Sequence, residues 1–445
     1  MARDLGDCRS LQNAKCLVAV CDSDDEIRGG SADRAERQSI ANGQTPGPQA
    51  TMETIRLLTF STLFPSNIRP NHGIFVENRL RHLLASGRAA STVIAPVPWF
   101  PSGSPVFGDW SRYANVVATE TRHGIVVHHP RYLVIPRFGM SLAPLLLYRA
   151  MLPFVRRLIA EGQEFDAIDA HYVYPDGVAA VWLGQRLGLP TIVTARGTDV
   201  NLIPRYPLPR RLIQQAIAGA AALIAVSAAL KAALVELGAP PDKVTVLRNG
   251  VDTALFHPVD RNTARRALGL NGPTLLSVGL LIERKGHHHA IEALTHLPEY
   301  GLIIVGEGPE RERLAALITR LGLTGRVRLL GSRPHTELPA IYGACDALIL
   351  ASDREGWANV LLESMACGTP VVAGNIWGNP EVVRSPEAGL IMDSNTPEGI
   401  AAAVRQLFAA LPSRAATRAY AERFSWDPTS EGQLALFQRI IARTR

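Results

Sequence analysis

The chain has 445 residues, 47% hydrophobic and 19% charged, with a formal net charge of +6 and a pI near 9.2. That is an ordinary globular balance for two or three domains, and it lacks the marks of a nucleic-acid binder: no recognition module is visible and aromatics are not interleaved with the arginines. Cys8, Cys16, Cys21, Cys345 and Cys367 have no tight zinc-type spacing, so reduced thiols in the cytosol are expected, with Cys345 and Cys367 as small core residues. Residues 1–51 lack an apolar period and end in GQTPGPQAT, which reads as a disordered extension, upstream of a functional start at Met52. Their apolar run CLVAVC is too short for a signal peptide.

From Ile55 onward, short apolar runs alternate with longer helical ones, the pattern of parallel α/β sheets. IRLLTFST, STVIAPVP, FDAIDAH, PTIVTARG, ALIAVS and KVTVLRNG predict strands of a first domain over 52–254. TLLSVG, LIIVG, RVRLLG, ALILAS and PVVAG predict strands of a second over 255–423, and 424–445 reads as a terminal helix. Two Rossmann-like domains facing each other across a cleft follow. The uncharged run Leu212 to Leu230 divides better into a helix and a buried strand than into a membrane span. From Arg131 to Arg157 there are five arginines and no acid among LVI, LAPLLLY and MLPF, which suits a surface resting on anionic lipid, or alternatively a cleft-facing basic wall or an ordinary amphipathic helix.

Glu355 and Glu363 bracket the step from the strand DALILA into a helix that opens near Ala358. Ligands of open α/β sheets collect at the carboxyl edge, where the next helix points its unpaired N–H groups. The backbone from Gly356 to Val360 can therefore receive a phosphate. Asn359 and Glu363, four apart, share a face from which Glu363 can accept hydrogen bonds from a diol such as ribose, while Glu355 can reach sugar hydroxyls. Gly73 opens a helix with the stripe Phe75, Val76, Leu80 and Leu83 and lets phosphate approach the backbone. His171 closes a strand before the turn Tyr174 to Gly177. Arg196 can bind phosphate or an anionic acceptor, or simply pair with Asp199. Trp357 and Trp377 can stack on a sugar or base, packing being the alternative. His287 to His289 lie on a predicted helix where adjacent side chains diverge, and no His/Asp set suggests a metal.

The run EGWANVLLESMACGTPVVAGNIWGNPEVV resembles the signature of the family-4 retaining glycosyltransferases of GT-B fold. VGLLIERKGHHHAIEAL, IVGEGPERERL, VLRNGVD, AHYVYPDGVAA and TARGTDVN resemble further motifs of that family, from about Ile55 to the C-terminus. The wording HGIFVENRL, YPDG, TARGTD and EGW is similar to its polysaccharide branch, of the teichuronic-acid type. Leu280, where many members have arginine, Arg196, where many have histidine, and Ala358 depart from the common pattern.

The resemblance implies a GT-B fold whose terminal helix returns to the first domain. It implies a hexose-type sugar moved from a nucleotide diphosphate, as co-substrate, to a lipid-linked or polysaccharide acceptor, with retention and without a cofactor or metal. Lys285 and Arg284 would hold the diphosphate, Glu363 the ribose, Glu355 the donor sugar, and His171 the reacting region. A cytoplasmic protein, peripheral on the inner membrane face, is expected. A GT-B nucleotide-sugar epimerase and a non-catalytic scaffold are the alternatives.

Overall fold

A computed structural model of the protein describes residues 54–444 apart from 101, 105, 107, 108 and 135–138. The extension expected over residues 1–51 and the start at Met52 lie outside the described residues, as does Arg137 of the basic stretch. The first part of the chain contributes β1 (Ile55–Phe60), β2 (Ala89–Ile94), β3 (Val97–Pro98), β4 (Thr119–Arg122), β5 (Ile125–His128), β6 (Arg131–Tyr132), β7 (Ala167–His171), β8 (Thr191–Ala195), β9 (Ala222–Ala225) and β10 (Val244–Val246). Eight of these form a sheet in the order β10–β9–β8–β7–β1–β2–β5–β4, while β3 and β6 make a short parallel ribbon. The second part contributes β11 (Thr274–Val278), β12 (Gly301–Val305), β13 (Val327–Gly331), β14 (Ala347–Leu350), β15 (Val371–Gly374) and β16 (Gly389–Met392), ordered β13–β12–β11–β14–β15–β16 and all parallel.

The central strands β7, β8 and β11 are buried at every residue, as expected of a parallel sheet covered on both faces. The departure from expectation is at the first sheet's edge. There β4 and β5 pair antiparallel through His123 and Gly124, whose φ angles of 49° and 78° match the two left-handed residues of a type I′ hairpin turn.

Four helices matter for the site: α1 (Ile74–Leu84), α2 (Gly139–Ala160), α3 (Asn359–Ala366) and α4 (Asp427–Thr444). The terminal helix α4 buries Leu434, Phe437 and Ile440 in one cluster with Leu57, Val76 and Leu80 of the first sheet's layer, so the end of the chain crosses back to its beginning. A second cluster runs continuously from Leu58 and Tyr174 to Leu350 and Leu361, joining the two sheets' layers through their inner faces. The run Leu212 to Leu230 is split between the helix Pro207–Gly219, β9 and the start of the helix Ala228–Glu236. Among the described residues no helix is long and apolar enough to cross a membrane. Cys345 and Cys367 are buried free thiols, and burial pushes both up to about 12.

Candidate active site

Strand order reverses at β1/β7 in the first sheet and at β11/β14 in the second. Chains leaving adjacent strands in opposite directions open a crevice at the carboxyl edge, which is where such sheets take ligands. At these points His171 closes β7, while the loops after β11 and β14 carry Lys285 and Glu355.

On the second-domain side, a tight turn at Glu283–Lys285 presents Lys285, whose Nζ donates to Glu355 Oε1 at 2.6 Å. Their side chains are 15% and 10% exposed, so the pair is largely shielded. Burial drives the Glu355 carboxyl upward, but the charges of Lys285 and Arg284 outweigh it and hold the group below its ordinary value. Arg284 Nη1 donates to the Arg354 carbonyl at 3.2 Å, tying the two loops together. His287 braces the same loop: its Nδ1 meets Ser277 Oγ at 2.9 Å and its Nε2 meets the Leu280 carbonyl at 3.2 Å. The Leu280 carbonyl takes the Nε2 proton, and burial, with the nearby Lys285 charge, lowers the imidazole pKa to about 4. His288 and His289 do not diverge as expected; their rings lie 3.9 Å apart while His287 turns inward. The described residues contain no group of three or more His, Cys, Asp or Glu able to hold a metal.

Helix α3 begins at Asn359 with no side-chain cap, leaving first-turn N–H groups free of one. One turn on, Glu363 accepts from the hydroxyl of buried Tyr342 at 2.9 Å, and burial raises its pKa. Val360, between them, is half-buried. Gly356 has a different use from the one expected. A Cβ there would lie 1.9 Å from the Arg196 carbonyl oxygen and 3.0 Å from Gly197 Cα, so the glycine permits backbone contact between the two domains. Gly73, left-handed at φ 70°, is similarly occupied, because a Cβ would meet the Leu63 carbonyl at 2.3 Å. The side of Gly73 on which a side chain would stand is filled by the preceding chain.

On the first-domain side, Asp169 and His171 share a face of β7, and Asp169 Oδ2 lies 3.2 Å from His171 Nε2. The other ring nitrogen, Nδ1, lies 2.8 Å from Arg196 Nη2. An arginine only donates, so Nδ1 accepts and the proton sits on Nε2, toward Asp169. Burial, ahead of the opposing pull of Asp169, lowers the His171 pKa. His171 is 1% exposed, so the expectation that it lines the cleft is corrected: it is buried, with Arg196 against its Nδ1. Arg196 also reaches Asn249 Oδ1 at 3.3 Å and lies over the Phe75 ring. It does not pair through its side chain with Asp199, whose carboxylate is taken by the backbone N–H groups of Val173, Arg196 and Gly197. Asp199 is therefore a brace for the loop rather than a ligand contact.

Two residues of this network were not singled out from the sequence, although Asn249 lies within VLRNGVD. Arg79 on α1 is 1% exposed and donates to Gln433 on α4, to the Leu247 carbonyl and to Asn249 Oδ1. Asn249 in turn donates from Nδ2 to Asn359 Oδ1 at 3.2 Å, which joins the first-domain cluster to the start of α3. Trp357 is buried beneath Arg248, whereas Trp377 is half-buried with a left-handed backbone, φ 43°.

The basic stretch is divided in its duties. Arg131 is consumed by the carbonyls of Tyr113, Ala114 and Val116, and so drops out of the expected lipid-facing set. On α2, Leu147, Met151, Val155 and Leu158 are buried, while Leu142, Leu145, Arg149, Arg156 and Ile159 are exposed.

The family model described as glycosyl transferases group 1 matches residues 260–424, and that of glycosyltransferase family 4 matches residues 109–255. D-inositol 3-phosphate glycosyltransferase of Acidothermus cellulolyticus is 36% identical over 310 residues, 63% of this chain and 68% of its own. Lipopolysaccharide core biosynthesis glycosyltransferase LpsE of Rhizobium meliloti is 36% identical over 199 residues, 44% of this chain and 57% of its own. Among solved structures, sucrose-phosphate synthase of Thermosynechococcus elongatus superposes with TM-score 0.69 at 20% identity, over 88% of this chain and 100% of that one. Anabaena HepE, in complex with UDP and glucose, superposes with TM-score 0.65 at 22% identity, over 87% of this chain and 100% of its own. With two such sheets facing across one cleft, and with these matches in both halves, the chain belongs to the family-4 glycosyltransferases of GT-B fold.

Proposed function

We propose that this glycosyltransferase moves a hexose-type sugar from a nucleotide-diphosphate sugar to a lipid-linked or polysaccharide acceptor, with retention at the anomeric carbon, in cell-surface or extracellular polysaccharide synthesis. The observation that carries the donor reading is the shielded Lys285–Glu355 pair beside the uncapped start of α3, with Glu363 one turn deeper. Fixed positive groups already in place are what a departing diphosphate needs as its charge grows. Lys285 and Arg284 supply them. Glu363, having given one oxygen to Tyr342, offers the other to a ribose diol, and Glu355 accepts from hydroxyls of the donor sugar. The HepE structures, which hold UDP, UDP-glucose or UDP with glucose, and relatives named for inositol phosphate and lipopolysaccharide core acceptors support this reading.

In this mechanism His171 is no general base, since both ring nitrogens are engaged. The acceptor hydroxyl attacks on the leaving-group face, and its proton passes to the departing diphosphate. Arg196, backed by His171 and Asp169, fixes the charge on the first-domain wall. Contact of Gly197 with Gly356 closes the domains and keeps water from competing. The exposed Leu142, Leu145, Arg149, Arg156 and Ile159 of α2 would rest on anionic lipid, placing the enzyme on the inner membrane face beside a lipid-linked acceptor. The test is donor turnover by NMR. Release of nucleoside diphosphate that depends on added acceptor, with the product keeping the donor's anomeric configuration, supports the reading. Release without acceptor, or inversion, contradicts it.

A further inference from the structure

We propose that a pocket built around Trp377, at the rim where the two domains meet, is a subsite for one acidic sugar unit, a ring bearing a carboxylate or a phosphate. The inference rests on the reading that the acceptor is a glycan and adds a second contact point for it, away from Lys285 and Glu363.

Trp377 follows β15 in the second domain, yet its pocket is otherwise lined from the first: Asn201, Arg205, Arg210 and Glu236 face it. The backbone of Trp377 is left-handed at φ 43°, a conformation that bulky L-residues rarely hold and that persists where the surroundings enforce it. The enforcing contact is next door, because a Cβ at Gly378 would lie 2.6 Å from the Gly356 carbonyl oxygen, so this turn is pressed onto the interdomain contact. The indole packs one side on the core shared by the domains and remains half-exposed, and it lines the pocket.

The polar groups around it are uncommitted. Arg205 and Arg210 are exposed and have no ion-pair partner among the described residues, and Glu236 has none either. Asn201 Oδ1 is buried without a hydrogen-bond partner. A buried acceptor left unpaired is costly, and rotation of this amide toward the pocket that Asn201 lines would let a ligand hydroxyl satisfy it. Together these groups describe one kind of guest. The aromatic face takes the apolar face of a sugar ring, Asn201 and Glu236 accept from its hydroxyls, and two arginines against one glutamate leave a surplus positive charge for an anionic substituent. The volume, about 210 Å³, lies below the range of roughly 300–1,000 Å³ typical of drug-sized ligands and suits a single ring.

The experiment is saturation-transfer NMR on the full chain with glucuronate, glucose 6-phosphate and glucose as separate probes, for wild type, Trp377→Gly and the double variant Arg205→Ala/Arg210→Ala. The expected result is a signal from glucuronate or glucose 6-phosphate at least tenfold stronger than from glucose; which of the two prevails distinguishes carboxylate from phosphate. Both variants should lose it while keeping thermal stabilisation by whichever of UDP, GDP and ADP stabilises wild type. In Trp377→Gly the relief of left-handed strain offsets part of the packing lost with the indole, so its melting point is read beside its binding. Equal signals from all three sugars, or an undiminished signal in either variant, would overturn the proposal. Should Trp377→Gly fail to fold, the double variant, altered only at exposed side chains, decides alone. Absence of stabilisation by UDP, GDP and ADP alike in wild type would count against the donor reading, which the sugar signals do not test.

Discussion

Lys285 Nζ and Glu355 Oε1 sit 2.6 Å apart on loops that leave adjacent strands of the second sheet, with most of both side chains shielded from water. An incoming diphosphate must compete with Glu355 for that ammonium. Glu355→Gln weakens the competitor, so the variant should bind UDP or its equivalent at least as tightly as wild type in calorimetry. Its turnover should still fall about 100-fold, the scale for losing one positioned electrostatic group. Lys285→Ala should lose diphosphate affinity and cost stability, by less than the roughly 3–5 kcal/mol of an uncompensated buried charge, because Arg284 still faces Glu355.

Glu363 and Tyr342 separate a structural role from a binding one. Glu363→Ala should lower nucleoside diphosphate affinity about 10- to 100-fold, the loss of hydrogen bonds to a charged acceptor worth about 1.5–3 kcal/mol. Tyr342→Phe keeps the carboxylate and should retain nucleotide affinity within about threefold, well under 1.4 kcal/mol per decade. Equal losses in the two variants would mean that Glu363 serves the fold alone.

Gly356→Ala places a methyl group where the Arg196 carbonyl already stands, 1.9 Å from the new Cβ. The domains should then rest apart. Small-angle scattering should show a larger radius of gyration than wild type, and transfer should drop by about 100-fold or more, as misplacement of about 1 Å can cost. An unchanged radius would contradict the assigned use of this glycine.

His287 gives the fold a pH dependence of defined sign. Its pKa is about 4 in the native state against an ordinary 6.5, so between those values the unfolded chain binds a proton that the native protein does not. Stability from this group is present above pH 6.5 and is lost as pH falls toward 4, by about 1.4 kcal/mol per unit inside the window. Urea titrations at pH 7 and pH 5 should show a smaller pH effect for His287→Gln than for wild type.

The strands were legible where both faces are covered, because TLLSVG or ALIAVS carries its burial as an unbroken apolar run. The hairpin of β4 and β5 was not, since TETR at a sheet edge is half exposed and carries little hydrophobic pattern. The second-domain site residues stood close together in sequence or in motifs of known spacing. The first-domain network did not: Arg196 reaches His171 across 25 positions and Asn249 across 53, and Asn249 reaches Asn359 across 110. Polar side chains joined over such separations leave no periodicity to read. Arg79 was invisible for the opposite reason, since an arginine on a helix is ordinarily exposed and this one is 1% exposed.

The central claim is that the second domain binds a nucleotide diphosphate through Lys285 and Glu363. The direct measurement is thermal stabilisation of the full chain by UDP, GDP and ADP and their common sugars, compared among wild type, Lys285→Ala and Glu363→Ala. At least one nucleotide should raise the wild-type midpoint, and the rise should be lost in both variants, because a ligand bound only by the folded state stabilises it by mass action. A folded wild-type protein that responds to none of them, or variants that respond as wild type does, would contradict it.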